Sequence, residues 1–168
     1  MDEPYEELID GEWVLRLPPR SSHESICLAL HRMLGQTIHA ASPSRLLEAR
    51  SRVVISDRDH FRPDLALVTA ASDKLWLAVE IINPEDHYAD TVLKKDVYER
   101  IKIPRLWIVD PRYENVEVYH ATDYGLSLRE TLMVKETLVE PLLPDFSLSL
   151  QSLFSVPESP MGSAPRDF

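Results

Sequence analysis

The feature that most constrains this chain is an apolar run, Leu75 to Ile82, that contains one acid, Glu80. The run ends at Asn83-Pro84, and its density of apolar residues predicts a strand at the centre of a sheet covered on both faces. Because side chains alternate along a strand, one face is predicted to carry Trp76, Ala78, Glu80 and Ile82. Burying an unpaired carboxylate is costly, so Glu80 is expected near the end of the sheet, in an ion pair or bound to a cation.

A second acid, Asp64, stands at the start of the preceding predicted strand, Asp64 to Thr69. Pro63 cannot donate to a β-ladder, which suits the first position of a strand. The turn Ala71 to Lys74 would join the two strands in a hairpin and bring Asp64 and Glu80 to the same sheet edge. Two carboxylates there could bind Mg²⁺. The alternatives are a turn-capping role for Asp64 and a purely structural role for Glu80.

The next element, Ala89 to Ile101, is predicted to be a helix. Its buried face is predicted to carry Leu93, Val97 and Ile101. Three polar residues spaced four apart form a neighbouring stripe: Asp90, Lys94 and Tyr98. Lys94 could therefore point towards the sheet edge, where it could stabilise negative charge in a phosphoryl transition state or orient a metal-bound water. Taken alone, Asp90 with Lys94 is more simply a surface ion pair, worth a few tenths of a kcal/mol.

The N-terminal part is compatible with a hairpin. Asp10-Gly11 is a turn signal, and Glu12 to Leu17 alternates as a strand. The segment from Tyr5 to Asp10 is acidic and amphipathic, and it fits either a short helix or a strand. Pro18-Pro19 ends the unit.

A helix is predicted to open at Ser21, where Ser21 and Glu24 have the spacing of a capping box. Apolar residues at helical spacing predict one buried face, and the helix is expected to end between Leu34 and Ala40. His23, in the first turn, is more simply a solvated residue than a ligand. The histidines of the chain show no metal-ligand spacing, which argues against a histidine zinc site.

The middle and the end of the chain are predicted to be mainly β-structure. Leu46 to Ser56 is β-rich, and Asp57 to His60 is a polar loop. Further strands are predicted at Leu106 to Val109, Val116 to Tyr119, Leu126 to Leu132 and Val134 to Leu138. A short capping segment follows and ends at Phe154. This order of elements predicts a mixed α/β fold or an α+β sandwich with at least two central strands.

Composition and charge narrow the function classes. The apolar share of 44% is enough for a packed core, and no apolar run approaches a membrane span. The acidic N-terminus has no apolar region of a signal peptide, and Cys27 is the only cysteine, so a cytoplasmic protein is expected. The net charge of −10 argues against a broad basic patch for nucleic acid, although a bound cation would offset nearby carboxylates.

These residues, in this order, resemble the Uma-type restriction endonucleases, a branch of the PD-(D/E)XK nuclease superfamily. The resemblance begins at Glu7-Leu8-Ile9-Asp10-Gly11-Glu12 and covers the chain to about Phe154. The other matching segments are His23, Pro63-Asp64, Val79-Glu80-Ile81, Asp90 with Lys94 and Tyr98, and Ile103-Pro104 to Pro111. Each segment is weak alone, and their order and spacing carry the resemblance.

The resemblance implies a restriction-endonuclease-like core, a mixed central β-sheet flanked by helices, with Asp64 and Glu80 as metal ligands. The superfamily lysine usually lies two residues after the second acid, where this chain has Ile82. The resemblance implies that Lys94 takes that role from the following helix. Further contacts are expected from Glu7, His23 or Glu24, with Asp90 and Tyr98 as additional candidates. The family commonly has Ser-Pro after the Glu80 strand, whereas this chain has Asn83-Pro84.

The prediction is therefore a Mg²⁺- or Mn²⁺-dependent endonuclease that hydrolyses DNA phosphodiester bonds. Residues 1–154 are expected to form one domain and residues 155–168 a flexible, proline-rich tail. DNA and a second copy of the chain, as a homodimer or higher oligomer, are the expected partners, with no membrane. The alternatives are a catalytically silent, homo-oligomeric interaction module with the same fold, and a hydrolase of RNA or another phosphoester.

Overall fold

The fold is described for residues 3–157 of a computed structural model, in which the strands form three sheets. The strands are β1 Tyr5–Ile9, β2 Glu12–Arg16, β3 Ser44–Leu46, β4 Val53–Ser56, β5 Asp59–Phe61, β6 Leu65–Thr69, β7 Leu75–Ile81, β8 Arg105–Asp110, β9 Asn115–Thr122, β10 Gly125–Met133, β11 Thr137–Glu140 and β12 Leu143–Ser149. The helices are α1 Ser21–Thr37, α2 Lys94–Arg100 and α3 Leu150–Phe154, and a π-helical turn, Ala89–Leu93, runs directly into α2.

The central sheet has six strands in the order β10-β9-β8-β7-β6-β3. Only β7 and β8 are parallel, and the crossover between them contains the π-helical turn and α2. β7 lies in the interior of the sheet and is buried from Trp76 to Ile81, as the apolar run predicted. The predicted fold class, a mixed α/β fold with a mixed central sheet flanked by helices, is confirmed.

The hairpin of β6 and β7 is also confirmed. Leu65 pairs with Val79, so the next facing positions along the hairpin are those of Asp64 and Glu80. The register shifts between Leu67 and Val68, which is a β-bulge. The prediction that Trp76 shares a face with Glu80 was wrong, because this shift turns Trp76 to the opposite side of the sheet.

A four-stranded sheet, β2-β1-β5-β4, contains the predicted N-terminal hairpin. Ile9 pairs with Glu12 across the two-residue turn Asp10-Gly11, in which both residues have positive φ values of 50° and 84°. A type I′ turn needs this conformation, and Asp-Gly is a preferred sequence for it. One face of this sheet carries Ile9 and Phe61 into the core, and the other face is turned outward.

The segment between α1 and β6 differs from its prediction. Leu46 to Ser56 is not one strand but two, because β3 joins the six-stranded sheet and β4 joins the four-stranded sheet. Arg50, with φ of 55°, lies in the turn between them. The predicted polar loop Asp57 to His60 is wrong from Asp59 onward, where β5 begins. Asp59 is buried because its carboxylate accepts hydrogen bonds from the Asp10 N–H and the Ser56 hydroxyl.

Both long helices differ in detail from their patterns. The N-cap of α1 is Arg20, without a side-chain hydrogen bond, so the predicted Ser21–Glu24 capping box is wrong, and the Glu24 carboxylate instead accepts a hydrogen bond from Arg50. In the second helix the Lys94 N–H donates to the Ala89 carbonyl, five residues back, which rotates the following turn relative to a regular α-helix. The buried residues of this segment are Ala89, Asp90, Lys94, Val97 and Tyr98.

The predicted buried face of that helix is therefore only partly right. Val97 is buried, Leu93 is half-buried, and Ile101 is 40% exposed. The polar stripe of Asp90, Lys94 and Tyr98 is buried instead, because acids from the neighbouring strands compensate the charge of Lys94. The reading of Asp90 and Lys94 as a surface pair was wrong.

Two hydrophobic clusters lie on the two sides of the six-stranded sheet. One includes α1, β12 and α3 and contains Leu30, Leu34 and Trp107. The other includes α2 and the inner face of the four-stranded sheet and contains Phe61, Tyr98 and Ile108. Val134 to Leu138 was predicted as a strand, but the strand there is β11, Thr137–Glu140, which pairs with the unpredicted β12.

The C-terminal segment ends the described fold. The predicted capping segment includes α3, whose N-cap Ser149 accepts a hydrogen bond from the Ser152 N–H. Most of the predicted tail, residues 158–168, lies outside the described residues. Within residues 3–157, no helix is both long enough and apolar enough to cross a bilayer.

Candidate active site

Glu80 lies at the end of β7 with its side chain on the α2 side of the sheet, and it is 1% exposed. Lys94 Nζ lies 2.6 Å from its Oε1, and the Tyr98 hydroxyl donates to the same oxygen at 2.6 Å. Strand alternation turns Glu80 towards α2, while the spacing of four turns Lys94 and Tyr98 towards Glu80. Of the alternatives expected for Glu80, a position near the end of the sheet and an ion pair are both found.

Lys94 is fully buried and joins three acids. Its Nζ donates to Glu7 Oε1 at 3.0 Å and lies 3.8 Å from Asp90 Oδ1, in addition to its contact with Glu80. Burial lowers the pKa of Lys94, but the negative charges of the three acids outweigh it, so the net shift is upward. Lys94 therefore stays cationic in a site from which water is largely excluded.

Arg16, on β2, is the second cation of this network and was missed by the sequence analysis. Its guanidinium pairs with Glu7, donates to Asp90 Oδ2 at 2.8 Å and donates to Asp86 Oδ2 at 2.9 Å. It thus joins the N-terminal hairpin to the π-helical turn. The available signal was weak: Arg16 alternates with Val14 on the inward face of a strand, which predicts burial but no partner.

Asp64 lies beside this network, on the neighbouring strand. Its Oδ2 accepts the Ile81 N–H at 2.7 Å, and its Oδ1 lies 3.2 Å from Arg50 and 3.3 Å from His23 Nε2. His23 Nε2 also donates to the Ile81 carbonyl at 2.8 Å. His23 is 5% exposed, so the reading of it as a solvated residue was wrong.

Arg50 is the second residue that sequence reasoning missed. It is buried, it bridges Asp64 and Glu24, and its own main-chain N–H donates to the Asp64 carbonyl. Arg50 lies in a turn between two sheets with a positive φ, and nothing in the local pattern predicts which acid it reaches.

The two carboxylates at this sheet edge have opposite pKa shifts. Burial raises the pKa of Asp64, but the charge and hydrogen bond of His23 and the Ile81 N–H outweigh it and bring the pKa to about 2. Burial raises the pKa of Glu80 to about 8, because the charge of Lys94 only partly offsets burial and the charges of Asp90 and Glu7. Burial also raises the pKa of Asp90 to about 6. The pKa of His23 is about 10, because the charge of Asp64 outweighs burial.

The eight residues proposed from the sequence lie in two adjoining groups. Glu7, Glu80, Asp90, Lys94 and Tyr98 are joined by direct contacts. Asp64 contacts His23 on α1, and Arg50 joins Asp64 to Glu24. The facing positions of Asp64 and Glu80 at the end of one hairpin connect the two groups.

The donor chemistry of this region fits a hard divalent cation. The available donors are carboxylate oxygens, which Mg²⁺ and Mn²⁺ prefer, and Asp90 Oδ1 is buried without a hydrogen-bond partner in the described part of the chain. The acids also outnumber the cations around Glu80, which leaves its carboxylate with a raised pKa. No preformed group of three or more His, Cys, Asp or Glu ligands is present among residues 3–157.

The fold of this chain is similar to that of a solved structure. That structure is described as "a putative nuclease belonging to DUF820" from Anabaena variabilis ATCC 29413, with a TM-score of 0.76, 16% identity and 91% of each chain covered. At this identity the likeness shows the fold. The family model Uma2, described as "Putative restriction endonuclease", matches residues 2–151, and the chain belongs to this family. Comparison with curated proteins gave no match.

Proposed function

We propose that this protein is a Mg²⁺- or Mn²⁺-dependent endonuclease that hydrolyses DNA phosphodiester bonds. One observation carries the proposal. Asp64 and Glu80 occupy facing positions at the same end of one buried hairpin, and the buried Lys94 forms an ion pair with Glu80. Membership in a family described as restriction endonucleases supports the same reaction class. Asp64 and Glu80 would hold the metal.

When bound, the divalent cation would neutralise phosphate charge and lower the pKa of a water molecule. Lys94 would stabilise the negative charge that develops on the phosphate. Glu7 fixes the position of the Lys94 ammonium, and Arg16 in turn fixes Glu7. His23 and Arg50 keep Asp64 ionised, as a metal ligand must be. Glu80, whose pKa is raised to about 8, would release its proton when the metal binds.

The test is a plasmid-nicking assay in Mg²⁺ and in Mn²⁺. The variants Asp64→Asn, Glu80→Gln and Lys94→Met are expected to lose activity about 10²-fold or more, because each removes a group that would hold the metal or stabilise the phosphate charge. The matched controls are Asp96→Asn and Glu99→Gln, which are exposed, and Lys95→Met, whose half-buried ammonium lies over the Tyr119 ring. Circular dichroism checks that each variant is folded.

Equal activity in the site variants and their controls would contradict the proposal, because it would show a contaminating nuclease or another site. No activity of the unchanged protein in either metal would also contradict it.

The second candidate is an interaction module without catalysis. The observation that favours it is that both key carboxylates already have protein partners, Asp64 with His23 and Arg50, and Glu80 with Lys94 and Tyr98. Calorimetric titration with Mn²⁺ separates the two candidates. Heat of binding that disappears in Asp64→Asn but not in Asp96→Asn supports the nuclease, and no binding together with a stable oligomer by light scattering supports the module.

A further inference from the structure

We propose that a cavity on the outward side of the four-stranded sheet binds an unpaired nucleotide of the nucleic-acid substrate. Trp13 would stack on the base, and Arg52 with Arg62 would hold the phosphate. This inference deepens the proposed function, because it adds a substrate-binding site outside the buried acids. The cavity has a volume of about 260 Å³ and is lined by Tyr5, Glu6, Trp13, Arg52, His60 and Arg62.

The aromatic part of the cavity is Trp13, on the edge strand β2. Trp13 is 63% exposed and pairs with Leu8, whose other neighbour across the sheet is His60. Large aromatic side chains usually bury most of their surface, so an indole left open in a cavity wall is available for a ligand. Aromatic faces of this kind stack with nucleic-acid bases whatever the base sequence.

The basic part of the cavity is unusual for this acidic chain. Within residues 3–157, eight other arginines form an ion pair with an acid: Arg16, Arg20, Arg45, Arg50, Arg58, Arg100, Arg105 and Arg112. Arg52 instead donates to His60 Nδ1 at 2.6 Å, and Arg62 donates to the Arg50 carbonyl at 3.3 Å. Within residues 3–157 neither Arg52 nor Arg62 forms an ion pair with a carboxylate, so both keep charge for a phosphate.

The contact of Arg52 also defines the state of His60. A guanidinium can only donate, so His60 Nδ1 is the acceptor, and the ring carries its hydrogen on Nε2. The Nε2–H of His60 therefore adds a donor to the cavity wall. Donors from three side chains around an aromatic face suit a nucleotide, which has both an anionic and a flat aromatic part.

The cavity adjoins the buried acids through Arg62. The Arg62 main-chain N–H donates to Glu7 Oε1 at 2.5 Å, and the same oxygen accepts from Lys94. Asp64 follows Arg62 by two residues. A strand whose phosphate is held at Arg62 is thus placed beside the proposed reaction centre.

The size of the cavity selects an unpaired nucleotide over a larger ligand. Pockets for drug-sized molecules measure roughly 300–1,000 Å³, and this cavity is smaller. A base can enter it only when it is unstacked, since Trp13 takes the place of a neighbouring base. The inferred preference is therefore for single-stranded or locally opened nucleic acid.

Glu6 lines the same cavity and opposes a phosphate by its charge. It gives the inference a test of opposite sign. Neutralising Glu6 should strengthen binding, whereas neutralising Arg52 or Arg62 should weaken it.

The experiment measures fluorescence anisotropy of a labelled single-stranded DNA and of its blunt duplex, titrated with the Glu80→Gln protein in EDTA, so that no cleavage occurs. Trp13→Ala is expected to weaken single-strand binding between about fivefold and about 150-fold, the range of base–aromatic stacking. Trp13→Phe should retain most of it. The double variant Arg52→Ala/Arg62→Ala should lower the salt slope by about 1.4, and Glu6→Gln should raise the affinity.

The controls are Tyr124→Ala, fully exposed, and Arg129→Ala, exposed on β10. Both should bind like the parent. Three results would each overturn the inference. The first is that Trp13→Ala and the double variant bind like the controls. The others are no measurable binding of the single strand and tighter binding of the duplex. If light scattering shows that Trp13→Ala dissociates a dimer while DNA binding is unchanged, the cavity is a contact with a second copy of the chain instead.

These outcomes are distinct from failure of the proposed function. Single-strand binding without metal-dependent nicking by the unchanged protein would keep the nucleotide site and remove the nuclease. Nicking without any contribution from Trp13, Arg52 and Arg62 would keep the nuclease and remove the nucleotide site.

Discussion

The two sides of the six-stranded sheet solve the problem of burial in different ways. On the α1 side, β7 and β8 present Leu77, Val79, Trp107 and Val109, which pack on apolar residues of α1 and β12. On the α2 side the same strands present Ala78 and Ile108, but also Glu80, which meets Lys94. One sheet thus has an apolar face and a face with an ionic network, separated only by the alternation of its strands.

The ionic network on the α2 side is not explained by a contribution to the stability of the fold. Removing each ion from water costs several kcal/mol, and a buried ion pair often stabilises no more than an apolar pair of the same volume. The acids of this side also exceed its cations, so Glu80 and Asp90 have raised pKa values. A site that binds a cation and a phosphate needs this arrangement, and a core does not.

The largest expected effect comes from removing Lys94, the cation that contacts Glu80. Lys94→Met leaves Glu7 and Glu80 buried without it, and we expect the free energy of unfolding to fall by about 3–5 kcal/mol. Urea denaturation measures the loss. The control Lys95→Met should lose no more than about 1 kcal/mol, the strength of an accessible cation–π contact. Adding Glu80→Gln to Lys94→Met should recover part of the loss, and a purely additive cycle would contradict the coupling.

The apolar side should be sensitive to volume but indifferent to metal. Leu30 is fully buried on α1. Replacing it with Ala is expected to lower the free energy of unfolding by about 2–5 kcal/mol, because a cavity remains. Calorimetry should show unchanged Mn²⁺ affinity in the folded Leu30→Ala protein. Loss of Mn²⁺ binding in this variant would show that the two sides are not independent.

Metal should stabilise the protein through the ionic side alone. At a free Mn²⁺ concentration of 100 times Kd, the free energy of unfolding should rise by about 2.7 kcal/mol. Thermal unfolding with and without Mn²⁺ measures this, and Asp64→Asn should remove the rise while Asp96→Asn keeps it. A rise of the same size in both variants would place the metal elsewhere.

The smallest effect is expected at Trp107, whose indole nitrogen lies on the apolar side of the sheet. Trp107 is fully buried, stacks on Phe146, and its Nε1 has no hydrogen-bond partner among the described residues. Trp107→Phe loses contacts but removes a buried unsatisfied N–H, which itself costs about 1–3 kcal/mol. We expect a net change within about 1 kcal/mol in urea denaturation. A loss of several kcal/mol would show that the indole nitrogen has a partner, such as a water molecule.

The local patterns of this chain predicted what depends on neighbours in sequence. The apolar run of β7, the Asp10-Gly11 hairpin and the turn between β6 and β7 are confirmed, because strand alternation and turn conformation are properties of a few consecutive residues. The position of Asp64 opposite Glu80 follows from the same reasoning. Their roles as metal ligands remain predictions.

The errors arose where an element takes partners from far away. β3 and β4 enter different sheets, and the polar residue Asp59 lies in a strand because Asp10 donates to it. The second helix buries its charged stripe because Glu7, far away in sequence, compensates Lys94. A helical pattern cannot show such a partner.

The sequence by itself determined the central hairpin, the acids at its end and the lysine on the following helix, because fixed periodicities and turn preferences set these positions. Only the tertiary structure decided that Lys94 is buried, that Arg16 and Arg50 complete the charges, and that Asp64 and Glu80 have opposite pKa shifts. The physical reason is that desolvation and ion pairing depend on which distant segments pack together. The apolar run with Glu80 therefore determined a strand, and the residues that pack around Glu80 determined the candidate site.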